Sequence, residues 1–130
     1  MGDDRARAVV QAFWRALEER DLEGAAARLD EDVVEDWPQS GERIVGRANW
    51  MAMATRHPTF PTVRHRFTEG ASELWVSHAH YDYPGEGGPF PYEVCAIQRV
   101  RGGRIERLTE YFAAPFEPAE WRADIVERID

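Results

Sequence analysis

The sequence predicts a single α+β domain in which helices come first and strands follow. Three observations predict it. Apolar residues recur at helical spacing in segments before position 57, the period changes to two from Val63 onward, and Gly102-Gly103 has the composition of a two-residue hairpin turn. Helices followed by a run of antiparallel strands is the order that gathers helices on one face of a sheet.

Composition and charge limit the domain's size and partners. A chain of 130 residues with 43% hydrophobic and 12% aromatic content can bury one core, so residues 1–130 are expected to form one domain. A net charge of −8 without a basic stripe argues against a nucleic-acid partner. The sequence shows no basic secretory signal and no bilayer-length apolar run, and its single Cys95 cannot form an intrachain disulfide. These features predict a cytoplasmic protein without a membrane partner.

Helices are predicted in the first half of the chain and at its C-terminal end. Asp3 or Asp4 can cap the first helix, whose apolar stripe comprises Ala6, Val9, Val10, Phe13, Trp14 and Leu17. A shorter second helix is predicted from Leu22 to Leu29, and a third over 47–56, before His57-Pro58. Pro118 suits the first turn of a C-terminal helix with Trp121 and Ile125 on one side.

Six strands are predicted around these helices. Two short strands, at 33–37 and 43–45, flank the turn composition of 38–41. Four long strands follow near 62–69, 73–83, 92–101 and 104–113. The loop 84–91 is rich in Gly and Pro, so it is expected to stay unpaired beside the sheet.

Three segments in this order resemble the NTF2-like superfamily, which includes ketosteroid isomerase, limonene epoxide hydrolase, scytalone dehydratase and SnoaL-type cyclases. They are 25–33 running into Glu35-Asp36, the Gly41 to Gly46 approach to a helix, and 103–105 leading to Glu110-Tyr111-Phe112. The resemblance covers almost the whole chain. It implies a cone-shaped fold, a curved antiparallel sheet packed on N-terminal helices around a small-molecule pocket.

The same resemblance supplies one candidate base. Asp36, in the run Val34-Glu35-Asp36-Trp37-Pro38, matches the proton-abstracting aspartate of the isomerase motif Val-Glu-Asp-Pro. Phe13, however, stands where the isomerase has its oxyanion-binding tyrosine, and Cys95 or Ala96 where it has a protonated aspartate. An enolate would lack both donors, so steroid isomerase activity is not expected.

Strand alternation supplies two further candidates. A regular hairpin at Gly102-Gly103 places Cys95 opposite Glu110, on one face with Ile97 and Leu108. If Tyr83 lies opposite Tyr92, His80 aligns with Cys95 and lies near Glu110. An imidazole beside a carboxylate suits acid–base work near neutral pH. The predicted catalytic residues are therefore Asp36, His80 and Glu110.

Several residues are predicted to line the pocket, and each has a structural alternative. The predicted lining comprises Trp14, Trp37, Trp50, Phe67, His78, Cys95 and Leu108. Aromatic residues on amphipathic elements are most often plain core, which also applies to Cys95, and the histidines can instead pair with neighbours or solvent. The pattern His78-x-His80 with Glu110 or Asp82 is also compatible with a metal site, and Asp36 with a turn acceptor.

Two classes of function follow from these residues. The first is an acid–base enzyme that needs no organic cofactor, acting as an isomerase, dehydratase, cyclase or hydrolase on a small, partly apolar molecule. The alternative is a non-catalytic ligand-binding or accessory dimeric domain, and a purely structural dimerisation domain would have a filled cavity. Trp75, Tyr81, Val94 and Tyr111 are expected on the outer sheet face, which predicts a homodimer through that face.

Overall fold

The structure is a computed structural model that describes residues 2–129. Its helices are α1 (Gly2–Glu18), α2 (Leu22–Ala26) and α3 (Arg47–Arg56). Its strands are β1 (Leu29–Trp37), β2 (Glu42–Val45), β3 (Thr62–Ala71), β4 (Leu74–Tyr83), β5 (Phe90–Arg101) and β6 (Arg104–Ala113). The third predicted helix has the bounds that the sequence indicates. The long strands begin or end within two residues of the predicted positions.

All six strands form one curved sheet in the order β2-β1-β6-β5-β4-β3. The predicted α+β class and the cone-shaped NTF2-like architecture are confirmed. The sheet is mixed rather than wholly antiparallel, because β1 pairs with β6 in parallel. This pairing puts the first strand beside the last one, in the middle of the sheet. The segments that carry Glu35 and Glu110 therefore become neighbours.

The core lies between the helices and one face of the sheet, which we call the inner face. On α1, the stripe Val10, Phe13, Trp14 and Leu17 is almost fully buried. Its helical spacing aims these side chains at one surface, so their burial stabilises the packing of α1 on the sheet. Arg7 adds a hydrogen bond of 2.8 Å from its Nη1 to the carbonyl oxygen of Thr68 in β3. The opposite, solvent-facing side of the sheet is called the outer face below.

The β5–β6 hairpin turns at Gly102-Gly103 as predicted, but its register shifts two residues later. Both glycines have positive φ, 62° and 79°, as the predicted two-residue turn needs. Val100 pairs with Ile105, whereas the next pair is Arg99 with Arg107, so Glu106 is an extra residue in a β-bulge. The predicted pair of Cys95 with Glu110 is therefore wrong, since Cys95 pairs with Tyr111 and Ala96 with Glu110. Every residue of β6 after the bulge is displaced by one position relative to β5.

Two predicted helical segments differ from the structure. The second helix ends at Ala26, and Leu29 begins β1, because Leu29 is buried against the sheet next to Ile105. The C-terminal helix is absent from the described residues. Only one 3-10 turn forms there, Glu120–Arg122, and Trp121 and Ile125 are exposed. Two apolar residues with no surface to pack on do not stabilise a short helix.

None of the helices in residues 2–129 combines the length and the apolar character that crossing a bilayer requires.

Candidate active site

A cavity of about 260 Å³ opens between the inner face of the sheet, α1, α3 and the connection that follows α3. Most of its wall is aromatic or aliphatic, and its polar residues include two carboxyl groups. The lining residues are Phe13, Leu17, Glu35, Trp37, Gln39, Ser40, Trp50, Met53, His57, Phe60, Pro61, Tyr81, Tyr83, Glu110 and Phe112. A mostly apolar cavity with a few convergent polar groups is the usual form of a small-molecule site.

Glu35 and Glu110 are the buried carboxyl pair of this cavity. Strand alternation turns Glu35 inward from β1 together with Val33 and Trp37, and Glu110 inward from the neighbouring β6. Glu35 is 1% exposed and Glu110 is 7% exposed. The two side chains line the same cavity from neighbouring strands. Two adjacent buried carboxyl groups repel each other when both are ionised, so the pair favours a state in which one of them carries a proton.

Three aromatic side chains hold this pair. Trp50 Nε1 donates to Glu35 Oε1 at 3.0 Å, and Trp37 Nε1 donates to Glu35 Oε2 at 2.9 Å. The Tyr81 hydroxyl donates to Glu110 Oε2 at 3.1 Å. Each carboxyl group therefore has a fixed orientation, and at least one donor from an aromatic ring fixes it. The indole and phenol rings also form part of the cavity wall.

Burial raises the pKa of Glu35 well above its ordinary value of 4.5. The negative charge of Glu110 raises this pKa further, while the indole donors of Trp37 and Trp50 lower it in part. Two adjacent carboxylates repel each other, which favours the protonated form of Glu35. The pair consequently retains a proton on Glu35 at a pH where an exposed glutamate is ionised.

The neighbouring tyrosines remain protonated beside this pair. Burial is the main cause that raises the pKa of Tyr81 well above 10, and the charges of Glu110 and Glu35 add to it. Burial and the charge of Glu110 also raise the pKa of Tyr83. Both phenols are therefore neutral hydrogen-bond donors at physiological pH. The Tyr81 hydroxyl donates its hydrogen bond to Glu110.

His57 is the one histidine in the cavity wall. Burial lowers its pKa below the ordinary value of 6.5. The backbone N–H of Thr59 donates to Nδ1 at 3.1 Å, so the neutral ring carries its proton on Nε2. Its ring stacks on Tyr83 at a centroid distance of 5.7 Å. His57 is thus a neutral donor at the wall rather than a cation.

Asp36, the candidate base suggested by the family motif, lies outside the cavity. It points to the outer face, where Oδ1 accepts from Arg43 Nε at 2.6 Å and Oδ2 from Arg107 Nη2 at 3.0 Å. The Arg43 guanidinium is the largest cause that lowers the pKa of Asp36 below its ordinary value of 3.8. The prediction that Asp36 forms the wall opposite Glu110 is wrong, because alternation along β1 turns its neighbour Glu35 inward instead.

His80 also lies on the outer face, away from Glu110. Its Nδ1 is 2.6 Å from Glu93 Oε2 and its Nε2 is 3.0 Å from Asp82 Oδ1. The bulge at Glu106 is the reason, because it places Ala96 rather than Cys95 opposite Glu110. His78 aligns with Cys95 in the actual pairing, and His80 aligns with Glu93. His78, His80, Glu93 and Cys95 therefore all lie on the face of the sheet opposite the carboxyl pair.

The predicted lining residues divide into three groups. Trp37 and Trp50 line the cavity. Trp14 and Leu108 are buried in the core instead, where Trp14 stacks on His65. Phe67, His78 and Cys95 lie on the outer face, where Phe67 packs edge-on against His78. The predicted outer-face residues Trp75, Tyr81 and Val94 are buried on the inner face, and Tyr111 alone of that set is exposed outside.

Glu35 and Tyr81 are the main site residues that the sequence reasoning missed. Glu35 lies two positions before Trp37, which the prediction already placed at the pocket, so period-two alternation along β1 contained the signal. Tyr81 belongs to the more apolar alternate set of β4, together with Trp75 and Ala79. That set faces the core. Hydrophobic alternation was a better guide to facing than the assumed hairpin register.

Among residues 2–129, no three His, Cys, Asp or Glu side chains are arranged so that they could hold a metal ion.

The fold and the cavity define a small α+β protein of the NTF2-like class, with a buried carboxyl pair in an aromatic cavity. The SnoaL-like domain family matches residues 10–108, and this chain belongs to that family. No curated protein matches the chain at a significant level.

Solved structures show the same architecture over most or nearly all of the chain. An NTF2-like protein of unknown function from Burkholderia xenovorans is 33% identical, with a TM-score of 0.85, and the match covers 98% of this chain and 97% of that one. A putative ketosteroid isomerase from Kribbella flavida is 24% identical with a TM-score of 0.87, covering 98% and 92%. An epoxide hydrolase similar to limonene epoxide hydrolase, from Mycobacterium tuberculosis, is 20% identical with a TM-score of 0.73, covering 85% and 84%.

Proposed function

We propose that the cavity binds a small, flat, largely apolar molecule and that Glu35 and Glu110 move a proton to and from it. The pair of buried carboxyl groups inside the aromatic cavity is the observation that carries this proposal. A general acid beside a general base, with pKa values separated by their surroundings, is a recurrent arrangement for acid–base catalysis at neutral pH. The names of the neighbouring structures, an isomerase and an epoxide hydrolase, are compatible with it.

The two carboxyl groups have different roles in the proposed reaction. The Glu110 carboxylate removes a proton from a carbon next to a carbonyl group of the substrate. The Glu35 carboxyl donates its proton to the carbonyl oxygen, which gives the enol. Return of a proton to the same carbon completes an exchange, and its return to another carbon completes an isomerisation. The pair holds one proton before and after each transfer, so its total charge does not change.

The hydrogen bonds around the pair support this division. Tyr81 donates to Glu110 and thereby stabilises its negative charge. Trp37 and Trp50 donate to both oxygens of Glu35, so its carboxyl group keeps a fixed position before and after the transfer. Both proton-transfer groups belong to the chain itself. The substrate we propose is therefore a carbonyl compound, or a molecule with a similarly activated C–H bond.

Hydrogen–deuterium exchange tests this proposal. The probe is 2-tetralone, a flat bicyclic ketone with acidic α-protons, incubated with the protein in D₂O and followed by NMR. The protein should accelerate exchange, and Glu110→Gln should reduce the acceleration by about 100-fold or more, because general acid–base catalysis contributes on that order. His80→Ala on the outer face is the matched control and should retain the rate. Equal rates in the wild type and Glu110→Gln would contradict the proposed base.

A non-catalytic ligand-binding domain is the second candidate, and one observation favours it. Both oxygens of Glu35 already accept indole donors and Glu110 already accepts from Tyr81, so the pair is satisfied without a substrate. Saturable quenching of the Trp37 and Trp50 fluorescence by 2-tetralone, without any accelerated exchange, would favour this second function. Accelerated exchange would exclude it.

A further inference from the structure

The cavity has negative charge without a balancing positive one. Its ionisable lining consists of Glu35, Glu110, His57 and two tyrosines, and no Arg or Lys is among the lining side chains in the described part of the chain. The negative charge of Glu110 is among the causes that raise the pKa values of Glu35 and of both tyrosines, and no cation among the described lining residues offsets it. His57 is neutral because burial lowers its pKa, and both phenols are neutral as well.

Arg43 on β2 and Arg107 on β6 cannot supply that positive charge. Arg43 and Arg107 bind Asp36 on the outer face, at 2.6 Å and 3.0 Å. The β1–β6 layer of the sheet separates them from the inner face, since Asp36 and Glu35 point to opposite sides of β1. The charge on the buried pair is therefore free to act on whatever occupies the cavity. In an apolar cavity of this kind such a charge acts strongly, because little water screens it.

Aromatic rings surround this charge. Trp37, Trp50, Tyr81, Tyr83 and Phe112 all line the cavity. Several of these rings meet edge to face, for example Trp37 with Phe112 at 6.4 Å and Tyr81 with Phe112 at 5.9 Å between centroids. The face of an aromatic ring carries negative electrostatic potential, so rings around a cavity attract an organic cation. A weakly hydrated ammonium group loses little on leaving water, compared with a metal ion.

We propose that this cavity selects ligands in which an organic ammonium group is attached to a flat apolar group. The inference rests on the proposed function for its site and adds the charge class of the ligand. The ammonium group lies against the Glu110 carboxylate and the aromatic rings, and the apolar group fills the remaining wall. Carboxylates and phosphates of the same size are disfavoured, because they would meet the negative charge of the pair without a cation to offset it.

A pair of isosteric ligands tests the charge class directly. Phenyltrimethylammonium and tert-butylbenzene have the same shape and differ by one positive charge. Their affinities are measured by quenching of the intrinsic tryptophan fluorescence at pH 7 and low salt. The cation should bind about tenfold more tightly or better, because cation–π contacts and a buried counter-charge each contribute on that order.

Variants assign the preference to the pair. Glu110→Gln keeps the side-chain shape and an acceptor for Tyr81 but removes the charge, so the preference for the cation should fall about tenfold. Glu93→Gln, a charge-removing control on the outer face, should retain it. Near-ultraviolet circular dichroism checks that both variants are folded.

The possible results separate this inference from the proposed function. Equal or tighter binding of tert-butylbenzene by the wild type overturns the ammonium preference, while the exchange assay with the neutral ketone still tests the proton transfer independently. A preference that survives in Glu110→Gln overturns the assignment to the carboxyl pair. Failure of both ligands to bind overturns the inference as well.

Discussion

Glu35 and Asp36 are consecutive carboxylates on one strand, yet they have opposite chemical environments. Glu35 faces the inner side, where burial and Glu110 raise its pKa. Asp36 faces the outer side, where Arg43 and Arg107 lower its pKa. Residue type and sequence position are nearly the same for both. The side of the sheet decides whether such a carboxyl group holds a proton or a salt bridge.

The same contrast extends across the sheet. On the outer face, His78 and His80 contact Glu93, whose pKa they lower against the effect of burial. On the inner face, Glu110 meets another carboxyl group and a phenol instead. Opposite-charge pairs near solvent contribute little free energy, whereas a like-charge pair in an apolar cavity changes the protonation state. Reactive carboxyl groups are therefore expected on the inner face alone.

The largest difference between the two faces should be seen in proton transfer. Glu35→Gln removes the proposed acid and should lower the protein-dependent exchange of 2-tetralone by about 100-fold or more. Asp36→Asn changes the neighbouring carboxylate on the outer face, and the rate should stay within about twofold. Comparable losses in the two variants would break the distinction between the faces.

The pH dependence of stability should have opposite signs for the two residues. The folded state holds the Glu35 proton more tightly than the unfolded state, so this stabilisation is complete below the ordinary pKa of 4.5 and is lost as the pH rises through the raised value. Asp36 has a lowered pKa, so its stabilisation is present above 3.8 and is lost as the pH falls through the lowered value.

Urea unfolding of matched variants measures these signs. Between about pH 5 and pH 8 the wild type should lose stability relative to Glu35→Gln. The loss should be about 1.4 kcal/mol for each unit by which the pKa of Glu35 in the folded state exceeds its pKa in the unfolded state. Asp36→Asn should follow the wild-type curve over that range and depart from it only in acid. Parallel curves for the wild type and Glu35→Gln would show that the Glu35 proton is not held by the folded state.

Removal of one indole donor should have a smaller effect. Trp50→Phe leaves the ring volume largely in place but deletes the hydrogen bond to Glu35 Oε1. The free energy of unfolding should fall by about 1–3 kcal/mol. The pKa of Glu35 should rise further, because this donor lowers it in the wild type. An NMR titration of the Glu35 carboxyl in Trp50→Phe checks the direction of this pKa change. The control is Trp75→Phe, because the indole of Trp75 donates to a backbone carbonyl rather than to Glu35.

The smallest expected effect is on self-association. We retain the prediction of a homodimer through the outer face, with exposed Phe67, Val76 and Tyr111 as the contact residues in place of buried Trp75 and Tyr81. Val76→Asp should weaken association about tenfold, equivalent to about 1.4 kcal/mol, as measured by sedimentation equilibrium. Arg5→Asp on the exposed side of α1 is the control. A wild type that remains monomeric at micromolar concentration would refute the dimer.

Most of the fold could be predicted from periodicity, because long amphipathic segments indicate their own element type. The α1 stripe and α3 are examples, and so is the turn at Gly102-Gly103. The C-terminal segment could not be predicted, because the pairing of Trp121 with Ile125 needs a surface that the chain does not offer. Local pattern predicts an element only where tertiary packing agrees with it.

The candidate site was harder to predict, because it depends on register. Glu110 is correctly placed on the cavity side. Because of the bulge at Glu106, however, Cys95 lies on the opposite face of the sheet from Glu110, and His78 and His80 lie on that face with Cys95. A single extra residue is hard to recognise in a sequence. It nevertheless moves every later side chain of its strand to the other face of the sheet, compared with a regular hairpin. Asp36 was favoured by a family motif, whereas the alternation of Val33, Glu35 and Trp37 along β1 would have indicated Glu35.

The parallel pairing of β1 with β6 has a consequence for biosynthesis. The strand that carries Glu35 is made before its partner β6, and four further strands lie between them in the chain. Until β6 is made, β1 pairs only with the short strand β2, and the edge of β1 that pairs with β6 is exposed to solvent. Closure of such a long loop is slow compared with local hairpin formation. Glu35 and Glu110 should therefore come together only after β6 has paired with β1.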